Sequence, residues 1–303
     1  MVSRARAGKP SRRSSLDGLR NPGKVFWPDE GYTKLDLAQF YESVFPKLRP
    51  YVKGHLLTLE RCPDGMRGEC FYQKEKPKGM PAGTPSKAIR HKMGATNYVV
   101  GGSLATQLAL VNFGCIAVHE MATSADSPRQ PRWICFDLDP ESGEFRDAAQ
   151  GALRVREALD KLRLVSFAKT SGSRGMHVFV PIRRGPDAND VLAFARKLCE
   201  RLAAAYPHEL TVEHSVQARG GRVYLDPFRN AFGQTVVTPF SLRRRPKAPV
   251  STPLDWSEVT PKLHPADFNL ANFNERLRRA DPWADFFRVR QPIGAATKSL
   301  DKL

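Results

Sequence analysis

The apolar run Trp133-Ile134-Cys135-Phe136 ends in Asp137-Leu138-Asp139 and stops at Pro140. Four apolar residues bounded by a proline predict a buried strand. Side chains alternate along a strand, so Asp137 and Asp139 share a face. The fold must therefore place two carboxylates side by side at the edge of a core. Such a pair repels itself unless water solvates it or a cation sits between the two. Hard oxygen donors of this kind suit Mn2+ or Mg2+. Two solvated acids at a strand end are the plain alternative.

Charge narrows the partner. The 303 residues carry 48 Lys or Arg against 31 Asp or Glu, a formal net charge of +17. That excess points to a polyanion, nucleic acid first. No long basic amphipathic helix suggests a membrane surface. Cysteines stand at 62, 70, 115, 135 and 199 with no Cys-x-x-Cys pair, which argues against zinc. Their odd number and the lack of a signal peptide fit a reducing cytosol. Met93 to Val118 holds no Lys, Arg, Asp or Glu, but Asn97, Gly101, Gly102 and Gln107 interrupt it. It reads as a buried helix followed by a strand, not a membrane span.

Residues 1–20 read as a basic disordered tail or linker, 21–290 as the folded domain and 291–303 as a C-terminal tail. Thr33-x-x-Asp36 resembles a capping box and starts a helix over about Lys34 to Phe45. Leu56 to Glu60 and Gly68 to Gln73 read as strands. Lys74 to Lys92, rich in Pro, Gly and Lys, reads as a long basic loop. A helix over Leu104 to Val111, a strand from Cys115 ending at His119, and an amphipathic helix over Phe145 to Leu162 follow. Strands surround Ser166 to Thr170, Met176 to Pro181, Arg222 to Asp226 and Thr235 to Phe240, with one more helix through Val191 to Leu202. A short helix closes the chain around Ala271 to Arg279. The mixture predicts an α/β (α+β) fold with mixed sheets.

Three further features accompany the carboxylate pair. The segment Lys169-Thr170-Ser171-Gly172-Ser173-Arg174-Gly175-Met176-His177 offers small residues, hydroxyls and a cation to an anion. It is also what an ordinary Ser/Gly hairpin looks like. Asp226 ends a strand and supplies a third carboxylate. Arg243, Arg244 and Arg245 follow another strand and suit phosphate or base contacts. Together they suggest two-metal nucleotidyl transfer, one cation at the attacking hydroxyl and one at the leaving pyrophosphate.

At this point the sequence resembles the polymerase domain of bacterial DNA ligase D, within the archaeo-eukaryotic primase superfamily. The resemblance runs from about Asn21 to Phe287. Its carriers are Asn21-Pro22-x-Lys24-Val25 with Lys34, Arg61-Cys62-Pro63-Asp64-Gly65, Phe71-Tyr72-Gln73-Lys74 and Phe136-Asp137-Leu138-Asp139-Pro140. The Lys169 to His177 segment, Asp226 with Arg229-Asn230, Pro239-x-Ser241-Leu242-Arg243 and Ala248 to Trp256 match as well. Arg174 stands where the family usually has Lys, and Pro227 where Trp commonly follows the third Asp. Glu120-Met121-Ala122-Thr123 lacks the usual Pro-Trp pattern.

The resemblance implies a primase-like fold, mixed sheets flanked by helices around an active-site cleft. It implies a template-dependent polymerase acting on DNA gaps, breaks and 3′ overhangs in non-homologous end joining. Mn2+ or Mg2+ would be the cofactor, ribonucleoside triphosphates the preferred substrates over deoxynucleotides, and the Ku end-binding protein a partner. The setting would be the cytoplasm, at the bacterial nucleoid. By matching position, Asp137, Asp139 and Asp226 would hold metal, and Ser171, Arg174, His177, Arg243 and Arg245 the nucleotide. Ser171 and His119 would sit near its 2′-hydroxyl. Asn21, Lys24 and Lys34 would grip a downstream 5′-phosphate, Phe71 or Tyr72 would stack at the break, and Arg219 would lie in a mobile loop. The basic loop from Lys74 would help synapse two ends. A free-standing primase-polymerase and a non-catalytic nucleic-acid-binding module are the competing expectations.

Overall fold

The computed structural model describes residues 15–91 and 94–300. Most of the basic leader (1–14), Lys92 and Met93, and 301–303 lie outside them.

In chain order the elements are β1 (Val25–Trp27), β2 (Tyr32–Thr33), α1 (Lys34–Val52), β3 (His55–Arg61), β4 (Phe71–Gln73), β5 (Ser86–His91), β6 (Gly94–Val100), α2 (Leu104–Asn112) and β7 (Cys115–Ser124). There follow β8 (Trp133–Pro140), α3 (Phe145–Lys161), β9 (Phe167–Thr170), β10 (Met176–Pro181), α4 (Ala188–Ala205), β11 (Leu210–Thr211) and β12 (Val223–Asp226). The last are β13 (Val236–Val237), β14 (Pro253–Leu254), α5 (Phe273–Leu277) and α6 (Gly294–Ser299). One sheet runs β11-β12-β8-β10-β9-β14, and a second runs β13-β7-β3-β6-β5 with β4 beside β3. β8 lies inside the first sheet, antiparallel to β10 and β12.

Strand alternation divides the side chains of β8 between two cores. Ile134, Phe136 and Leu138 pack with Val155, Leu159, Phe194 and Leu198 of α3 and α4. Trp133 and Cys135 turn the other way and join the core beneath α1, α2 and β7. The carboxylates of Asp137 and Asp139 continue that second row.

Several elements run beyond their expected limits. Thr33 and Asp36 form the capping box, but α1 continues through Pro46 and Pro50 to Val52. Both prolines face solvent, while Leu48, Tyr51 and Val52 are buried. The buried stripe thus outweighs the lost helix hydrogen bonds, whose carbonyls are left to water. The expected basic loop is partly sheet, because β5 pairs with β6 from Ser86↔Val99 to His91↔Gly94. The expected strand from Thr235 shrinks to the two residues of β13, since Thr238 and Ser241 already enter turns. At the termini, Leu16 and Leu19 pack against the core and Asn112 Nδ2 donates to Gly18 O at 2.9 Å. The last segment forms α6, with Ile293, Ala296 and Leu300 buried. Among the described residues no helix is long and apolar enough to cross a membrane.

One cysteine expectation is corrected. Cys62 and Cys70 form a disulfide. The antiparallel register Arg61↔Phe71 makes these two residues the next pair across the hairpin, so their separation of 8 brings the sulfurs together without a Cys-x-x-Cys motif.

Candidate active site

Three neighbouring strands carry the acidic cluster. The register sets His177 of β10 opposite Asp137, and Asp226 of β12 opposite Asp137 on its other side. Asp137 Oδ1 lies 3.2 Å from His177 Nε2. Arg229 Nε donates to Asp137 Oδ2 at 2.9 Å and lies 3.2 Å from Asp226 Oδ2. Asp226 Oδ1 also accepts from the Phe228 N–H at 2.8 Å. Asp139 has no side-chain hydrogen bond among the described residues. Asn230 clamps the strand behind the acids, accepting from Cys135 N–H and donating to Cys135 O, both at 2.8 Å.

The electrostatics follow from this crowding. The charge of Asp137, then burial, pushes Asp139 up to about 7. Burial and Asp137 raise Asp226 as well. Burial also opposes ionisation of Asp137, but His177 and Arg229 outweigh it and hold that carboxyl below the usual range. Burial, then Lys169, depresses His177 to about 4, so its imidazole is neutral and Nε2–H donates to Asp137. Among the described residues no three His, Cys, Asp or Glu side chains converge on one metal position, and Arg229 spans Asp137 and Asp226. The donor set nevertheless suits a hard divalent cation. It offers three carboxylates, two of them driven toward protonation by crowding that a cation relieves.

Opposite the acids runs the turn between β9 and β10. Ser171 Oγ accepts from the N–H groups of Ser173 and Gly175, each at 3.2 Å, which leaves its own proton free to donate. Two glycines permit the approach. Gly172 has φ +68°, and a Cβ on Gly175 would lie 2.1 Å from Leu138 O. Arg243 donates to Ser171 O at 3.0 Å, and Arg245 Nε to Ser173 Oγ at 3.0 Å. These groups line a cleft of about 430 Å3 together with Arg174, His119, Tyr72 and two of the acids. His119 is half-buried, with its Nε2 atom enclosed and unpartnered, and desolvation reinforced by Arg243 keeps the ring neutral. Tyr72, 58% exposed, meets His119 edge-on at 5.3 Å.

The remaining expected residues fall in two places. Lys24 and Lys34 meet at the start of α1, where Lys34 N–H donates to Lys24 O at 2.8 Å. Burial, then the charges of Lys24 and Arg20, lowers Lys34, which marks a cationic cluster. Lys24 Nζ pairs with Asp64 at 2.6 Å, and Asn21 accepts the Lys24 N–H at its carbonyl. Phe71 points away from the cleft, under the Arg61 guanidinium at 5.3 Å. Arg61 also covers Phe113, as does Arg20, so Phe71 belongs to the cationic side and Tyr72 to the cleft. Arg219 stacks on Tyr224 at 4.3 Å and pulls on the Asp139 titration.

Sequence reasoning assigned no role to three residues here. Arg229 carries a signal, three positions after Asp226 on the next turn. Lys169 is fully buried with Nζ 2.6 Å from Ser251 Oγ, and burial depresses its amine to about 7. Only the cross-strand register, which aligns it with His177, reveals it. Glu60, buried on β3, holds Arg244 at 3.0 Å beside Tyr72.

A family model for the LigD primase-polymerase domain matches residues 33–283. The multifunctional non-homologous end joining protein LigD of Mycolicibacterium smegmatis is 30% identical over 290 residues, which are 94% of this chain and 37% of that protein. The bifunctional LigD of Bacillus subtilis is 31% identical over 286 residues, 92% of this chain and 46% of that protein. The chain thus spans less than half the length of these relatives. A solved polymerase domain from Mycobacterium tuberculosis ligase D, in complex with DNA, superposes with a TM-score of 0.85 at 26% identity. That match covers 92% of this chain and 100% of the other.

Proposed function

The chain belongs to the LigD primase-polymerase domain family, and from that premise we propose that it is a template-dependent nucleotidyltransferase. It extends DNA ends and fills gaps in non-homologous end joining, with ribonucleoside triphosphates preferred over deoxynucleotides. The observation that carries this reading is the confrontation of Asp137 and Asp139 with the Ser171 turn and the Arg243–Arg245 pair across one cleft, with Asp226 beside Asp137 on the adjoining strand.

Asp137, Asp139 and Asp226 are assigned as the holders of Mn2+ or Mg2+. When bound, the metal supplies Lewis-acid activation of the attacking 3′-hydroxyl and neutralises charge on the departing pyrophosphate. The protein's own groups do the rest. Arg174, Arg243 and Arg245, with the N–H groups of the turn and His177, orient the triphosphate for in-line displacement. The free proton of Ser171 Oγ and the unpartnered Nε2 of His119 suit a ribose 2′-hydroxyl. Tyr72 offers a face to a base at the break, with Phe71 behind it. Lys24, Lys34 and Asn21 hold a downstream 5′-phosphate at the start of α1. Arg219 closes on the site from its loop. The basic strand and loop after Lys74 meet a second DNA end, and Ku delivers that end. The setting is the cytoplasm, at the nucleoid.

The test is Mn2+-dependent UTP incorporation on gapped DNA. Asp137→Ala and Asp139→Ala should abolish it while leaving DNA affinity nearly unchanged, because the cationic contacts to phosphate remain. Substantial synthesis by either variant defeats the assignment.

A further inference from the structure

A second cavity, of about 310 Å3, opens at the other end of β8. Trp133 lines it, four residues and about 13 Å along the strand from Asp137. Its walls are aromatic, with Tyr51, Phe286 and Phe287 beside Trp133. Tyr51 and Phe287 lie 4.9 Å apart, and Phe287 is 37% exposed. Around them stand Arg132, Arg183, Arg184 and Arg290. Asp126 answers two of these guanidiniums, Arg184 at 3.0 Å and Arg132 at 3.7 Å. Arg183 and Arg290 have no side-chain hydrogen bond or ion pair among the described residues. Burial, then Arg184, depresses Arg132, with Arg290 adding to the effect, so positive charge here is in excess.

The buried lining is polar. Glu120 is 1% exposed and its Oε2 has no hydrogen-bond partner. His55, also 1% exposed, lies 3.5 Å from that carboxyl. Burial holds His55 down to about 4, so the ring is neutral. Its Nδ1 is 2.8 Å from Met121 O and must donate, which leaves Nε2 as an acceptor on a ring that lines the cavity. The neighbouring residue on β7, His119, lines the carboxylate cleft instead.

We propose that this cavity is a second nucleotide site, taking a nucleoside phosphate whose base bears an amino group. Aromatic walls accept a flat ring, and the volume suits one. Unpaired guanidiniums are the natural partners of a phosphate. Burial raises the Glu120 carboxyl well above its ordinary value, so one of its oxygens carries a proton, while its other oxygen and His55 Nε2 can accept from an exocyclic amino group. Uracil and thymine lack such a group. The inference stands independently of whether the carboxylate cleft transfers nucleotides.

The experiment is equilibrium binding of AMP, CMP and UMP to the whole chain in EDTA, which removes metal-dependent binding at the carboxylates. AMP and CMP should bind, and UMP about fivefold more weakly or worse. Replacing the two exposed side chains in Arg183→Ala/Arg290→Ala should weaken AMP about tenfold. Arg245→Ala reports any AMP held in the other cleft, and Arg146→Ala, in neither cavity, should change nothing. A 5′-phosphorylated adenine dinucleotide distinguishes the source. Competition that depends on Arg183 and Arg290 identifies a strand end, and no competition identifies a free nucleotide. The proposal is overturned if AMP does not bind, if UMP matches AMP, if inorganic phosphate displaces AMP at equal concentration, or if Arg245 rather than Arg183 and Arg290 controls binding.

Discussion

Arg229 is the internal cation of the acidic cluster, and removing it gives the sharpest test of the electrostatics. Its Nε lies 2.9 Å from Asp137 and 3.2 Å from Asp226. The two carboxylates are 7% and 13% exposed at their side chains, against 37% for Arg229. Breaking a fully buried pair costs about 3–5 kcal/mol, because the partner stays desolvated and unpaired. Here water reaches more than a third of the guanidinium and screens part of the interaction. One stranded carboxyl can also take up a proton. The loss for Arg229→Ala should therefore be about 2 kcal/mol without metal. At about 2 °C per kcal/mol for a domain of this size, the midpoint falls by about 4 °C. The assay is thermal unfolding of wild type and variant in EDTA and in saturating Mn2+. In Mn2+ a divalent cation among the same carboxylates offsets the missing guanidinium, so the loss should shrink. No loss in EDTA, or the same loss in both conditions, refutes the reasoning.

Ser171→Ala removes the acceptor for two turn N–H groups, so use of both UTP and dTTP should fall. The lost bond to the 2′-hydroxyl should in addition narrow the UTP-to-dTTP ratio by about fivefold; an unchanged ratio in single-turnover incorporation contradicts the sugar contact. Removing the downstream 5′-phosphate should weaken binding to gapped DNA, and Lys24→Ala should make affinity indifferent to that phosphate. Equal affinity of wild type for both gaps argues against the pocket at α1. Because Asp139 is raised to about 7, its folded form holds a proton below that pH, and metal must displace it. Calorimetry of Mn2+ binding in two buffers should show release of about one proton at pH 6 and none above pH 8, with affinity falling as pH falls. Release that does not vary with pH refutes this assignment.

What could be read from the sequence was what depends on local periodicity. Alternation alone put Asp137 and Asp139 on one face of a strand, and Thr33 with Asp36 marked where α1 begins. Its end was hidden, because Pro46 and Pro50 signal a stop and only the buried Leu48, Tyr51 and Val52 explain why the helix passes them. The disulfide escaped because its spacing makes sense only once β3 and β4 pair. Arg229 and Asp137 are 92 positions apart, and nothing local announces that one neutralises the other. The second cavity draws on Tyr51, Glu120, Arg183 and Phe287, which no single motif contains.

The closeness of the Ser171 turn to β8 also limits how this site can change over generations. With Gly175 held against the carbonyl of Leu138, no side chain can be added there without shifting the residues that carry Asp137 and Asp139. A Cβ at Gly172 likewise meets Arg243 and the Ser251 backbone. Turn and strand can therefore drift only together, and most single steps in either are closed. The open positions are Ser173 and Arg174, whose side chains reach outward into the cleft. The geometry thus leaves room for change in the cation offered to a nucleotide and not in the frame that presents it.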